Sequence, residues 1–164
     1  MTMLSRLLCA LAAAVLAALP AAHAKMLPDA DTSEVRAYTL TEAGFAKYAK
    51  ATRALKAAKF ENCVAADDDD DGADSIASAA AMIDAVPAAR AALQSAGLSS
   101  HEYVVFAFSL LENGMASYMM QTPGGKMPDG INPANVDFVR KHSADLQQLA
   151  NESDEESCEH DDND

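Results

Sequence analysis

The longest run of apolar positions after the first 24 residues lies at 99–121, and its spacing predicts one long helix. Ser99 and Glu102 have the spacing of a capping box, which places the start of the helix. Apolar side chains from Tyr103 to Met120 cover most of its surface. A helix that is hydrophobic almost all round is stable in water only when other helices cover it. We therefore expect this segment to be the central helix of the fold.

Polar residues form one narrow stripe along this helix, because they recur at every fourth position: Ser109, Asn113, Ser117 and Gln121. The stripe either meets solvent or lines a buried polar seam. Glu112 lies beside it and is either buried with a raised pKa, outward-facing or paired. Gly114 lowers helix propensity by about 1 kcal/mol relative to alanine, so we expect it to allow close approach of a neighbouring helix.

A second helix is predicted at about 39–60, where Thr39 and Glu42 have capping-box spacing. Its apolar face consists of Leu40, Phe45, Tyr48, Thr52 and Leu55. The segment before it, 25–38, contains Pro28 and short polar residues, and we expect an extended lead-in there.

Three further helices follow from turn and cap signals. One spans about 73–86, with an apolar side of Ile76, Met82, Ile83 and Val86. The next runs from Pro87 to Ala96 and is closed by Gly97. After a loop at 122–131, Asn132 and Pro133 begin a last helix that frays near Asn151. The apolar edge of that helix is Val136, Val139, Leu146 and Leu149.

The abundance of alanine and the scarcity of β-branched residues favour packed helices over a sheet. The predicted fold is all-α, a small up-and-down helical bundle of four to five helices around the central helix. We expect a signal peptide at 1–24, one helical domain at 25–151 and a disordered acidic tail at 152–164.

The first 24 residues have the pattern of a secretory signal peptide. Arg6 supplies the positive charge, an alanine- and leucine-rich run follows, and Ala22, His23 and Ala24 form an A-x-A cleavage site. Cleavage after Ala24 would yield a periplasmic or secreted protein. We expect no membrane span in the mature chain, because Glu102, Glu112 and Asn113 interrupt the central helix.

The chain has 25 acidic and 12 basic residues, and the excess negative charge lies in two runs. One run is Asp67–Asp71 with Asp74, and the other starts at Glu152 and extends to Asp164. The rest of the mature chain is close to neutral. This distribution disfavours nucleic-acid binding and favours divalent cations or a basic protein partner.

The first acidic run matches part of a calcium-binding loop. Asp67, Asp69 and Asp71 are followed by Gly72, as in D-x-D-x-D-G, and we take these three residues with Asp74 as candidate calcium ligands. The twelfth position of such a loop is Ser78 here instead of glutamate. The alternative is a solvated acidic loop.

Two cysteines remain after the leader, and an even number in an exported protein favours a disulfide between Cys63 and Cys158. Such a bond would hold the two acidic runs side by side, and bridging Ca²⁺ would relieve their repulsion. Free thiols or an intermolecular bond are the alternatives. His160 with a reduced Cys158 could bind a transition metal, or could lie in a solvated tail.

Other candidate ligands have simpler interpretations. We expect His101 and His142 to lie on helix surfaces. Four methionines could ligate copper(I) or haem, but helix-spaced methionine more often fills a core: Met115, Met119, Met120 and Met127. The catalytic motifs of hydrolases, zinc proteases and phosphate-binding loops are absent from the sequence.

Two segments carry a resemblance: LTEAGFAKYAKATRAL, at 40–55, and AGLSSHEYVVFAFSLLENGMA, at 96–116. Together they resemble exported, all-helical bacterial proteins of uncharacterised function. The resemblance implies a small helical domain and no particular activity, and the acidic runs are not part of it.

These observations favour an exported, non-enzymatic protein that binds divalent cations or a partner through its acidic runs. The alternative is a structural or interaction module in which the acidic runs only confer solubility. An enzyme that uses Glu112 or the polar seam is a third hypothesis.

Overall fold

The computed structural model describes residues 27–58 and 74–154, with only the backbone described at 153 and 154. These two ranges contain seven helices and no strand, which confirms the all-α fold class. The helices are α1 (Asp29–Ala37), α2 (Glu42–Ala57), α3 (Ile76–Ala85), α4 (Pro87–Ala96), α5 (Ser100–Gln121), α6 (Pro133–Lys141) and α7 (Ser143–Asp154). The number of helices exceeds the four to five that were predicted. The up-and-down order of the bundle stays a prediction.

The expectation of an extended lead-in at 25–38 is wrong, because α1 begins directly after Pro28. Asp29 and Asp31 lie in its first turn, where negative charge is favourable to the helix dipole. Val35 is buried in the core and fixes the helix in place. A single buried side chain among polar neighbours is too weak a pattern to predict a helix from sequence.

Helix α2 begins later than predicted, since its N-cap is Thr41 and not Thr39. The Thr41 hydroxyl accepts a hydrogen bond from the backbone N–H of Gly44 at 3.1 Å. Leu40 is buried but precedes the helix, so it belongs to the connection with α1.

Helices α3 and α4 lie where turn signals place them. Ser75 and Ser78 form a capping box at the start of α3. Helix α4 has the predicted bounds, and Gly97 follows it with a φ of 77°. The predicted apolar side of α3 is wrong in part, because Met82 and Val86 are exposed while Ile76 and Ile83 are buried.

Helix α5 begins with the predicted capping box of Ser99 and Glu102. It packs against α1, α2, α3, α4 and α6. The expectation that other helices would cover it fails in its second half, where Leu111, Met115 and Tyr118 are exposed.

The predicted last helix is two helices, α6 and α7, that are separated at His142. Its predicted start is confirmed, because the Asn132 side chain accepts a hydrogen bond from the Ala134 N–H and Pro133 occupies the first turn. The predicted edge residues Val136, Val139 and Leu149 are all buried.

The core has two parts. The larger one joins α3 and α4 to the first half of α5 through Ile76, Leu93 and Val105. The smaller one surrounds Phe106 and Leu110 of α5 and includes Val139 of α6. The ring of Tyr48 stacks on Phe106 with centroids 4.9 Å apart, which connects α2 to this second part.

Among the described helices, none is by itself both long and apolar enough to cross a bilayer. Only α3 and α4 taken together reach that length and hydropathy, and they are bent by 108°.

Several predictions fall on residues outside the described ranges: the signal peptide, Cys63, Cys158, Asp67, Asp69, Asp71, His160 and the tail after Asp154. They stay predictions, as do the proposed domain boundaries.

Candidate functional site

The polar stripe of α5 is a buried seam over most of its length. Ser109, Asn113 and Ser117 are buried, whereas Gln121 is exposed. The Ser109 hydroxyl donates to the Val35 carbonyl at 3.2 Å, and the Asn113 amide donates to the Ser109 carbonyl at 2.7 Å. The Asn113 side-chain oxygen has no hydrogen-bond partner among the described residues. The seam therefore ties the end of α1 to α5 and presents no exposed reactive group.

Glu112 forms an ion pair, which is one of the three alternatives that the sequence left open for this residue. Its Oε1 accepts a hydrogen bond from Arg36 Nε at 2.9 Å, which links α5 to α1. Its Oε2 is buried without a hydrogen bond in the described part of the chain. The Arg36 side chain is 42% exposed, so the pair is a solvent-screened contact of small stabilising effect.

His142 is not on a helix surface, and that expectation is wrong. It lies at the break between α6 and α7, buried against the rings of Phe45 and Phe138 at 4.9 and 4.5 Å. Its Nδ1 is 3.0 Å from Asp145 Oδ2 and its Nε2 is 3.1 Å from Glu42 Oε1. The hydrogen bonds to Asp145 and Glu42 raise the pKa of His142, because both carboxylates favour the protonated ring. His101, by contrast, is exposed as predicted and lies 2.7 Å from Glu34.

Asn135 is a buried polar residue that the sequence analysis missed. Its side-chain oxygen accepts from the Leu40 N–H at 2.9 Å, and its amide donates to the Tyr38 carbonyl at 2.8 Å. Both groups belong to the connection between α1 and α2. The sequence feature that could have indicated this role was an asparagine inside a helix, immediately before the buried Val136.

Asp74 is the one candidate calcium ligand in the described ranges, and it lies just before α3. One of its carboxylate oxygens accepts a hydrogen bond from Ser78 at 3.3 Å. Asp31 of α1 accepts from the first backbone N–H of α3, that of Ile76, at 2.7 Å. Within 27–58 and 74–154, no three histidine, cysteine or acidic side chains are grouped as a metal site.

An open apolar groove follows the second half of α5, and we call it the α5 groove. It has a volume of about 540 Å³. Its residues come mainly from α5, with one each from α2, α6 and α7: Tyr48, Leu110, Leu111, Gly114, Met115, Tyr118, Met119, Val139 and Leu146.

The apolar side chains that form the outer wall of the α5 groove are exposed to solvent. Leu111 is 58% exposed, Met115 59%, Tyr118 71% and Met119 47%. The interpretation of Met115 and Met119 as core filler is therefore wrong, and so is that of Met120, which is 37% exposed. Met127 is half-buried. The sequence pattern of one helix does not show which of its apolar sides the neighbouring helices leave uncovered.

Gly114 is one of the residues that line the α5 groove. A Cβ at this position would be 3.9 Å from Val139 Cγ1, which is an ordinary contact distance. The expectation that Gly114 serves close helix approach is therefore wrong.

Comparison of the chain with models of protein families, with curated proteins and with solved structures gives no match.

Proposed function

We propose that this chain is an exported, non-enzymatic binding protein whose α5 groove holds a partner. The observation that supports this proposal best is the row of exposed apolar side chains on α5. Soluble proteins rarely leave large contiguous apolar surfaces open to water, and such surfaces typically mark sites of interaction.

The chemistry of the groove favours binding over catalysis. Among its lining residues the titratable groups are the phenols of Tyr48 and Tyr118. Burial raises the pKa of Tyr48, so this phenol stays protonated and is no base at neutral pH. Neither Glu112 nor the polar seam lines the groove. Unbranched methionines adapt to the shape of a partner, as in other proteins that bind through methionine-rich surfaces.

An apolar fluorescent dye, anilinonaphthalene sulfonate, tests whether the groove is an accessible binding surface. We expect the dye to bind the wild-type protein and to lose most of its fluorescence with the double variant Leu111→Gln, Met115→Gln. Both side chains are more than half exposed, so the variant should keep the wild-type circular dichroism spectrum and Tm.

Met82→Gln is the matched control, because Met82 is 41% exposed on α3 and lies outside the groove. Equal fluorescence from all three proteins, or none from the wild type, would contradict the proposal.

Cation binding by the acidic runs is a second candidate function. It is supported by the D-x-D-x-D-G pattern at 67–72 and by the two cysteines that accompany the runs. Its alternative is that these runs only keep the protein soluble. The acidic runs and the α5 groove consist of different residues, so the two candidate functions can be tested separately.

A further inference from the structure

We propose that Met115 and Met119 are sites of reversible oxidation, and that conversion of their thioethers to sulfoxides by a peroxide removes the apolar binding capacity of the α5 groove. This inference rests on the proposed function, because it specifies how binding at the same groove is regulated. The reductant that reverses the change is a dithiol acting through methionine sulfoxide reductases.

Both methionines lie where an oxidant dissolved in water reaches them. Met115 is 59% exposed and Met119 is 47% exposed. Because the oxidant must touch the sulfur atom, exposed methionines react before those that neighbouring side chains shield. Met127 is half-buried, so we expect it to react more slowly than the two groove residues.

Met115 and Met119 are neighbours on the wall of the α5 groove. They are at positions i and i+4 of α5, and Leu111 lies four residues before Met115 in the same row. All three residues line the groove. Met82 and Met120 are 41% and 37% exposed but are not among its lining residues. Oxidation at positions 115 and 119 therefore changes the groove, whereas oxidation at positions 82 and 120 does not.

The reaction consumes one peroxide molecule for each methionine. A lone pair of the thioether sulfur attacks one peroxide oxygen, so an S–O bond forms and the O–O bond breaks. The departing hydroxide takes the proton from the oxygen that is now bound to sulfur, which yields a sulfoxide and water. The sulfur is oxidised and the peroxide is reduced. In the reverse reaction two thiols become a disulfide, and the sulfoxide oxygen leaves as water.

A sulfoxide at these positions turns an apolar wall into a polar one. Its oxygen accepts hydrogen bonds from water, and an apolar partner that covers it removes that water at a cost in free energy. Among the residues that line the groove, the side-chain hydrogen-bond donors are the phenols of Tyr48 and Tyr118. The Tyr48 phenol already interacts with Tyr103 and Thr52. That leaves one phenol for two sulfoxides, so oxidation opposes the burial of the groove wall.

The fold itself should tolerate the change. Sulfoxides disrupt a protein when they form inside its core. The core around α5 consists instead of residues such as Val105, Phe106 and Leu110, which peroxide does not oxidise in this way. We therefore expect the oxidised protein to keep the circular dichroism spectrum and the Tm of the untreated protein.

Treatment of the full protein with hydrogen peroxide, followed by tandem mass spectrometry and dye binding, tests the inference. We expect Met115 and Met119 each to gain one oxygen atom before Met127 does. The protein should then lose most of the fluorescence of bound anilinonaphthalene sulfonate. Methionine sulfoxide reductases with a dithiol should remove the added oxygen and restore the fluorescence.

Two double variants identify the responsible sulfur atoms. Met115→Leu with Met119→Leu keeps the wall apolar but lacks both thioethers, so it should bind the dye equally before and after peroxide treatment. Met82→Leu with Met120→Leu is the matched control, because it removes two exposed methionines outside the groove. This control should lose its fluorescence on oxidation as the wild type does. Both variants retain the cysteines, so thiol oxidation would affect them equally.

Several outcomes would overturn the inference and leave the proposed function standing. One is unchanged fluorescence after Met115 and Met119 have been oxidised. Another is loss of fluorescence from the Met115→Leu, Met119→Leu variant, since other residues would then be responsible. A third is a fall in Tm on oxidation that this variant prevents, which would indicate damage to the fold. Absence of dye binding before any treatment would instead contradict the proposed function, and the inference with it.

Discussion

Two glycines in helices differ in what surrounds them. A Cβ on Gly44 in α2 would be 2.9 Å from Phe106 Cε2 and 3.1 Å from Thr41 Oγ1. Phe106 is fully buried and cannot move aside. A Cβ on Gly114 in α5 would meet only Val139, at 3.9 Å. Close helix approach therefore requires glycine at position 44 and not at position 114.

We expect alanine at these two positions to have opposite effects on stability. Gly114→Ala should raise the free energy of unfolding by up to about 1 kcal/mol through helix propensity. Gly44→Ala should lower it by about 1–3 kcal/mol, because the added methyl group overpacks a rigid ring. Urea unfolding followed by circular dichroism measures both changes. Two changes of the same sign would contradict this difference in packing between positions 44 and 114.

The Asn135 amide illustrates why single polar residues escape a sequence pattern. It lies on the buried side of α6, next to Val136, and satisfies two backbone groups of the α1–α2 connection. Those partners are 95 and 97 residues away along the chain. Only the folded chain brings the donor and acceptor together.

At the scale of elements, the break between α6 and α7 lies at a residue whose ring is held on both sides. The His142 ring can donate to Asp145 and to Glu42 at once only when both of its nitrogens carry a proton. Lys141 also binds Glu42, with Nζ 2.5 Å from Oε1. The α6–α7 break is thereby tied to the first turn of α2 by a charged cluster.

This arrangement predicts a pH-dependent contribution to stability. The hydrogen bonds to Asp145 and Glu42 raise the pKa of His142 above its unfolded value of about 6.5. A raised pKa means that the folded state binds the proton more tightly. The stabilisation is therefore complete below about pH 6.5 and is lost as the pH rises through the folded pKa of His142. We expect the stability difference between the wild type and His142→Gln to be largest near pH 6 and to shrink towards pH 9.

Above about pH 6, the titration of His142 can be observed separately from that of Glu42. The partners Lys141 and His142 lower the pKa of Glu42, so Glu42 stays ionised throughout this range. His101→Gln is the control, because His101 is 49% exposed and lies far along the sequence from the break. A pH-independent difference for His142→Gln would show that the ring acts only through packing against Phe45 and Phe138.

For the whole molecule, one hypothesis joins the two acidic runs with the two cysteines: a disulfide would hold the runs side by side. If Cys63 and Cys158 are bonded, the intact protein loses two hydrogens in mass relative to its reduced form. The chain-entropy model assigns a loop of this length about 4–5 kcal/mol of stabilisation. Bringing the runs together in this way creates the repulsion that Ca²⁺ would relieve.

We expect millimolar Ca²⁺ to give a binding heat in calorimetry and to raise Tm by about a few degrees. The combined variant Asp67→Asn, Asp69→Asn and Asp71→Asn should abolish both effects. Asp129→Asn with Asp137→Asn is the control, because these two acids are exposed and lie outside the acidic runs. No heat and no shift in Tm with the wild type would favour the alternative that the runs only confer solubility.

The all-α class and most helix positions could be predicted from the sequence, because they depend on short-range signals. Pro87 and Gly97 delimit α4, Ser99 and Glu102 begin α5, and Asn132 begins α6, each through bonds within a few residues. The sequence did not predict α1 or the break at His142. Val35 and His142 are held by contacts with other helices, and periodicity within one segment does not contain that information.

Which side of the apolar helix α5 is covered depends on how the other helices pack against it. Apart from its narrow polar stripe, α5 is hydrophobic all round, so its sequence pattern does not show which apolar side other helices cover. Five other helices bury its first half and the seam of Ser109, Asn113 and Ser117. They leave Leu111, Met115 and Tyr118 in solvent. Whether an apolar side chain is core or binding surface depends on how many neighbours reach it, and that number is a property of the assembled fold.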